Sequence, residues 1–219
     1  NTNLAQSNCL PILLGMERRL DLGGLLGAVI PGYSAVLDFI LAASDEATTP
    51  NSGLSVWLKG GVKSLNGHND CVPVLPPEEV PALPTVPRTR IFEGNVTPGG
   101  RPTDVMVGVS EAFVNYAAYQ LWDAGALCIQ VGSTTIPMLS PSLLGIALGT
   151  SLNTLVFPAD SKKSPLGLAL RPQKPPVVRF EELASPGIRV NAQLPQLAID
   201  FYAWSLDRYV RLVTIELDV

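Results

Sequence analysis

The sequence predicts an α+β fold in one domain over residues 1–219, on the strength of three observations. From Val105 to Val131 an apolar strand, a helix and a second apolar strand follow one another with almost no linker. The nearly apolar stretch from Asp21 to Ala43 predicts a long helix with a break at Pro31. Beyond Ile188, apolar and polar residues alternate as in a sheet with one wet face and one dry face.

The central helix is predicted by its capping residues. Ser110 is a suitable N-cap, Glu111 stabilises the positive end of the helix, and Gly125 supplies the left-handed residue that follows it. We therefore expect a helix from about Glu111 to about Ala124. Its apolar stripe contains Val114, Ala117, Ala118 and Leu121.

Alternation, capping and proline placement predict the remaining elements. The many prolines between Cys71 and Pro102 favour an extended crossing over a helix or a central strand. The other predictions are a strand over 54–62, a helix over 141–155, strands over 166–171 and 177–180, and a hairpin over 188–219 that turns near 206–208.

Composition excludes one class of partner. The net charge is −4 with a pI near 5.0, and the 15 basic residues form no long run, so we expect no nucleic-acid partner. Hydrophobic residues make up 47% of the chain and charged residues 16%, which supplies ample core material. A mean hydropathy of +0.27 is high for a soluble protein; a large solid core is the ordinary explanation, and a buried apolar tunnel is another.

Few residues could carry catalysis, so we predict no enzyme activity, no cofactor and no metal site. The single histidine, His68, lies in the stretch 66–70, whose composition is typical of a turn or surface loop. Ser110 lacks the second glycine of a Gly-x-Ser-x-Gly motif, and no glycine pair continues into a phosphate-binding loop. Asn66, Asn69 and Asp70 do not have the spacing of a calcium-binding EF-hand loop.

The three cysteines bear on the cellular compartment. Cys9, Cys71 and Cys128 are far apart and do not form a zinc-binding spacing. We expect an exported protein, periplasmic, outer-membrane-associated or extracellular, with a disulfide between Cys71 and Cys128. The alternative is a cytosolic protein with three reduced thiols. The chain starts without a signal peptide and both ends look cut, so we expect a partial or processed chain.

Two motifs carry a family resemblance. The first is an apolar strand, Ser-acid, an aromatic residue, Asn, a helix, Ala-Gly and an apolar strand; its residues are Val109, Ser110, Phe113, Asn115, Ala124, Gly125 and Leu127. The second is LRPQKPPVVRF, two apolar strands on either side of a Pro-Pro turn. Together with the order of elements from about Leu20 to Val219, they resemble the tubular lipid-binding (TULIP) superfamily, in particular the group of the bactericidal/permeability-increasing protein (BPI) and the lipopolysaccharide-binding protein.

The resemblance implies a BPI-like half-barrel that lacks its first strands: a highly curved antiparallel β-sheet wrapped around long helices and enclosing an apolar channel. The implied function is non-catalytic binding or transfer of phospholipid or fatty acid, with transient contact to a membrane surface. Each buried methylene of an acyl chain would stabilise the complex by roughly 0.8 kcal/mol. The basic tip of the family is missing, so endotoxin recognition is not implied. The expected lining residues are Leu22, Leu26, Val29, Ile30, Leu37, Ile40, Val109, Phe113, Leu121, Leu144 and Leu148.

The main alternative is a structural or partner-binding β-domain of a cell envelope, with a filled core and no ligand. The apolar stripes would look the same in a solid core as in a lipid channel. In either case a second polypeptide or an upstream segment could complete the fold. A weaker third hypothesis is a hydrolase whose essential residues lie outside the chain.

Overall fold

The computed structural model describes nine strands and one named helix. The elements in chain order are β1 (Gly15–Asp21), β2 (Val36–Ala43), β3 (Leu58–Ser64), α1 (Glu111–Asp123), β4 (Ile129–Gly132), β5 (Leu166–Pro172), β6 (Val177–Glu182), β7 (Ile188–Gln193), β8 (Leu197–Ser205) and β9 (Arg208–Leu217). The residues that the structure describes are 15–21, 24, 35–43, 54–81, 96, 100–133, 165–182, 188–205 and 207–219.

The strands form three antiparallel sheets. Their strand orders are β1-β2-β3, β4-β5-β8-β9 and β6-β7. Strands account for half of the described residues, and α1 is the one helix of seven or more residues among them. The predicted α+β half-barrel wrapped around long helices is therefore wrong, and the described part of the chain is mostly β.

The long helix predicted from Asp21 to Ala43 is also wrong at Asp21 and over 36–43, where the structure describes strands. Asp21 is the last residue of β1, and the last eight residues of the stretch, Val36–Ala43, are strand β2. β2 pairs on both sides, with Leu37 opposite Leu20 of β1 and Ser64 of β3. A short apolar run fits the hydrophobic pattern of a helix as well as that of a strand. The available backbone hydrogen-bonding partners therefore decide which of the two forms. Here two flanking strands supply those partners.

The predicted ends of α1 are confirmed. The Ser110 side chain accepts a hydrogen bond from the backbone N–H of Phe113 at 3.2 Å. At the other end Gly125 has φ 72°, and the N–H groups of Gly125 and Ala126 donate to the carbonyls of Trp122 and Leu121. This is a Schellman motif, which requires a left-handed residue. A Cβ on Gly125 would also lie 2.5 Å from Asn69, so both the backbone conformation and the lack of space require glycine at this position.

Helix α1 contacts the first sheet through an apolar cluster. Phe113, Ala117 and Leu121 of the helix pack there. Gly60 of β3 allows the close approach, because a Cβ there would lie 2.9 Å from the Phe113 ring. The buried members of the cluster are Ala35, Leu37, Val62, Ala124 and Ala126.

The same helix covers the outer edge of β6 with polar side chains. The Asn115 amide donates to the Val178 carbonyl at 2.7 Å and accepts from the Val178 N–H at 2.8 Å. Glu111 accepts from the N–H of Phe180 at 2.7 Å. These side chains take the place of a neighbouring strand, which satisfies an edge that would otherwise be open.

Helix α1 is joined to the four-stranded sheet at its C-terminal end. The Trp122 side chain is fully buried, and its indole N–H donates to the Pro172 carbonyl at the end of β5 at 2.9 Å. One turn later the chain enters β4 through Cys128, which is disulfide-bonded to Cys71. Helix α1 therefore contacts all three sheets.

Most of the other predicted strands are present, but some of their pairing partners differ from those expected. β4, β5 and β6 lie where expected, and β8 and β9 form a hairpin around Asp207. The first part of the predicted hairpin, β7, pairs with β6 in a separate sheet instead. β3 begins at Leu58, four residues later than predicted. The strand expected over Val105–Val109 belongs to no named strand, and β5 and β6 are in different sheets. The helix predicted over 141–155 and the break at Pro31 lie outside the described residues.

Candidate binding groove on the four-stranded sheet

The four-stranded sheet has two faces of different chemistry. Residues directly opposite each other on neighbouring strands share a face. On one face, the dry face, Leu168 lies opposite Phe201, which lies opposite Val213. On the other, the wet face, the described residues are Gln130, Gly132, Gly167, Ala169, Arg171, Ala198, Asp200, Tyr202, Trp204, Tyr209, Arg211, Thr214 and Glu216.

Asp200 is the centre of the polar network on the wet face. Its side chain is fully buried. One carboxylate oxygen accepts from the Arg171 Nε at 2.5 Å, and the other from the Thr214 hydroxyl at 2.5 Å. The Tyr202 hydroxyl donates to it at 3.4 Å, and an Arg211 guanidinium nitrogen lies 3.7 Å away. A buried carboxylate is tolerated only with such partners.

These partners keep Asp200 ionised. Burial by itself raises the pKa of a carboxyl group, because it disfavours the charged form. The hydrogen bonds from Arg171 and Thr214, with the charges of Arg171 and Arg211, outweigh burial, so the pKa of Asp200 lies below its usual value. The same hydrogen bond raises the pKa of Arg171. Both groups are therefore charged across the physiological pH range, and the Arg171 guanidinium has a fixed orientation.

A groove of about 510 Å³ lies on this face, open to solvent. Its floor is bare backbone, because Gly132 of β4 lies directly opposite Gly167 of β5. A Cβ on Gly167 would lie 3.7 Å from the Tyr209 ring, so the ring borders the floor at van der Waals distance. The described lining residues of the wet face are Gln130, Gly132, Gly167, Ala169, Arg171, Tyr202 and Tyr209, and two residues of the dry face, Val131 and Leu168, also border the groove.

Aromatic side chains continue from the groove toward the β8–β9 turn. Trp204 and Tyr209 are opposite each other in the ladder, and their rings meet edge to face with centroids 5.1 Å apart. They are 41% and 48% exposed, which is high for such large apolar surfaces. The combination of a bare floor, an aromatic side and an oriented guanidinium is suited to binding a small polar molecule.

The lining residues predicted for a lipid channel fall into three groups. Leu37, Phe113 and Leu121 come together in the apolar cluster between α1 and the first sheet, where Leu37 is buried among packed neighbours. Ile40 and Val109 are exposed. The predicted residues that lie outside the described part of the chain are Leu22, Leu26, Val29, Ile30, Leu144 and Leu148.

His68 and Asn69, which the sequence places in a turn or surface loop, hold that loop against the helix end. The His68 Nδ1 lies 2.8 Å from a carboxylate oxygen of Asp123, and the Asn69 N–H donates to the Asp123 carbonyl at 2.9 Å. The predicted disulfide between Cys71 and Cys128 is confirmed, with Cα atoms 6.4 Å apart. Within the described ranges, no cluster of three or more His, Cys, Asp or Glu side chains could hold a metal ion.

The groove as a whole has no signature in the sequence. Gly132, Gly167, Tyr202 and Tyr209 have no distinctive motif around them, and wet-face residues look like ordinary solvent-facing positions of a strand. Asp200 offered the one local signal, since it stands in the otherwise apolar and aromatic run LAIDFYAW. A carboxylate inside such a run is expected to be paired when buried.

Comparisons of this chain with protein-family models, with curated proteins and with solved structures found no match. The TULIP resemblance therefore stays a prediction. Among the described helices, none is long and apolar enough to cross a membrane.

Proposed function

We propose that this chain is a non-catalytic binding domain of an exported protein, and that its ligand site is the groove over Gly132 and Gly167. The observation that carries the proposal is the joint arrangement of the bare glycine floor and the Arg171 guanidinium, oriented by the buried Asp200. Fully buried charge is costly in a sheet, so a network that presents one arginine to an open groove is expected to have a use there.

The state of Asp200 supports binding over catalysis. A general acid or base works best with a pKa near the operating pH, which for a carboxyl group requires a raised value. The pKa of Asp200 is lowered, and its two oxygens are occupied by Arg171 and Thr214. Its role in the proposal is to orient the arginine and not to transfer a proton.

The disulfide is consistent with an exported protein, because disulfides persist mainly in oxidising compartments. Among the locations of exported proteins, we propose the periplasm, the outer membrane surface or the extracellular space. A binding domain in these places has a partner or ligand outside the cytoplasm. This is close to the partner-binding alternative of the sequence analysis, with a ligand groove added.

Binding of phospholipid or fatty acid stays a prediction, but the long-helix half-barrel that implied it is not carried forward. Leu37, Phe113 and Leu121, three of the expected lining residues, pack with buried residues of the first sheet. We therefore treat lipid as an outcome of the test.

The test is a binding screen by saturation-transfer NMR on wild-type protein and two glycine variants. The probes are maltose, glucuronate, glycylglycine, adenosine monophosphate and vesicles of phosphatidylethanolamine with phosphatidylglycerol. Gly167→Val places two methyl groups in the groove, where its Cβ itself fits at ordinary contact distance. Gly61→Val is the matched control, because a Cβ there has open space around it and lies on another sheet.

We expect at least one small polar probe to bind the wild type and Gly61→Val equally, and to lose its signal with Gly167→Val. Binding of vesicles alone, unaffected by Gly167→Val, would return the protein to the lipid hypothesis. If no probe responds to Gly167→Val in a protein with unchanged circular dichroism, the groove is not a ligand site.

A further inference from the structure

We infer that the groove takes an uncharged saccharide, with one sugar ring on the Gly132–Gly167 floor beside Tyr209 and its hydroxyl groups at Arg171 and Gln130. This rests on the proposed function of the groove and names its ligand class. The charge of the wet face, the shape of the floor and the exposed aromatic rings support the inference.

The charges of the wet face balance. Its described charged side chains are Arg171 and Arg211 against Asp200 and Glu216, two of each sign. Arg171 and Arg211 both lie within ion-pair distance of Asp200. A phosphate or carboxylate ligand would have to compete with Asp200 for these arginines, and would meet no uncompensated positive charge. An uncharged ligand avoids that competition.

The donors that remain suit hydroxyl groups. The Arg171 Nε donates a hydrogen bond to Asp200, which fixes the plane of the guanidinium. Arg171 also lines the groove. Guanidinium nitrogens are donors only, whereas the Gln130 amide both donates and accepts. A sugar hydroxyl also donates and accepts, so neighbouring hydroxyls of one ring can satisfy both side chains. Binding a hydroxyl to a charged donor is stronger than binding it to a neutral one.

The floor and its border match the shape of a sugar ring. Two opposed glycines leave a strip without side chains of its own, which Tyr202 and the Tyr209 ring flank at van der Waals distance. A pyranose has C–H groups on its faces and hydroxyls around its rim, so it presents an apolar face to an aromatic ring and polar groups to the sides. Tyr209 and Trp204 provide exposed aromatic surface next to the strip. The volume of about 510 Å³ lies in the ordinary range for small-ligand sites.

The experiment extends the screen to the neutral disaccharides maltose, cellobiose and N,N′-diacetylchitobiose, with glucuronate and adenosine monophosphate as charged probes. Affinities are measured by isothermal titration calorimetry for wild type, Tyr209→Ala, Tyr209→Phe, Gly167→Val and Gly61→Val. We expect one or more neutral disaccharides to bind. Removing the ring in Tyr209→Ala should weaken binding by about tenfold or more, as for a central aromatic contact.

The conservative variants separate a contact from a folding effect. Tyr209→Phe keeps the ring and should bind within about threefold of wild type. Gly61→Val should bind like wild type, whereas Gly167→Val should abolish the heat of binding. Since Tyr209 also packs on Trp204, the near-ultraviolet circular dichroism of each variant is compared with wild type, and Gly167→Val decides the matter if Tyr209→Ala is unfolded.

Two negative results have different meanings. If glucuronate, adenosine monophosphate or glycylglycine binds in a Gly167-dependent way and no neutral disaccharide does, the saccharide inference is overturned and the groove remains a ligand site. If no probe of any class depends on Gly167, the proposed function is overturned together with the inference.

Discussion

The α1 region and the four-stranded sheet are each centred on a fully buried side chain, Trp122 in one and Asp200 in the other. The Trp122 side chain makes one hydrogen bond, to the Pro172 carbonyl, and is otherwise surrounded by apolar neighbours and the disulfide. Asp200 is held by directed contacts from Arg171, Thr214, Tyr202 and Arg211. A buried apolar side chain such as Trp122 holds backbone elements together, but it does not orient polar groups, because apolar burial has no preferred direction. A buried carboxylate such as Asp200 fixes the orientation of polar groups at a surface, which is what a binding site needs.

The largest expected effect concerns the disulfide in the α1 region. Replacing both Cys71 and Cys128 with alanine opens a loop closed over a sequence separation of 57. We expect the free energy of unfolding in urea to fall by about 4 kcal/mol, because the unfolded chain regains the entropy of that loop. Hydrogen exchange should accelerate in α1 and the loop after β3 more than in β8 and β9.

Dithiothreitol provides the control for the disulfide. It should destabilise the wild type to the level of the double variant and leave the double variant unchanged. If full reduction leaves the free energy of unfolding of the wild type unchanged, the cross-link does not stabilise this region.

The next effect concerns the buried carboxylate. Asp200→Ala leaves Arg171 and Arg211 without their anion and the Thr214 hydroxyl without its acceptor. We expect a loss of about 3 kcal/mol in the free energy of unfolding, at the low end for a broken buried pair, because both arginines can reach water. Exchange should now accelerate in β5, β8 and β9, with α1 less affected. A loss below about 1 kcal/mol would mean that the network contributes little to stability.

A smaller effect is expected where α1 covers β6. Asn115→Ala removes both hydrogen bonds to the Val178 backbone. Because water can reach this edge, we expect a loss of only about 1–2 kcal/mol in chemical unfolding. Glu111→Gln is the control, since its amide oxygen can still accept from the Phe180 N–H, and it should be nearly neutral. Equal losses in the two variants would argue against the specific role of Asn115.

The smallest effect is the pH dependence of the Asp200 network. The folded pKa of Asp200 is below the unfolded value of about 3.9, so the folded chain binds fewer protons between the two values. The stabilisation is therefore complete above pH of about 4 and is lost as the pH falls through the folded pKa. The stability difference between wild type and Asp200→Asn should be constant from neutral pH to about pH 5 and shrink below about pH 4. A difference that does not change on acidification would exclude this coupling.

Local signals in the sequence were sufficient for some elements and insufficient for others. Ser110 and Gly125 predicted both ends of α1, because capping is decided within a few residues of the helix end. β2 was mistaken for a helix, because its apolar residues satisfy a helical period as well as a strand. The groove could not be predicted, because Arg171 and Asp200 are 29 residues apart and meet only through the pairing of β5 with β8.

By itself, the sequence determined the limits of α1 and the hairpin of β8 and β9. The tertiary structure decided that β2 is a strand, that β5 and β6 belong to different sheets, and that Asp200 is surrounded by arginines. The reason is the range of the interactions. Caps and alternation depend on residues two to four positions apart, whereas strand partners and buried ion pairs depend on which distant segments meet.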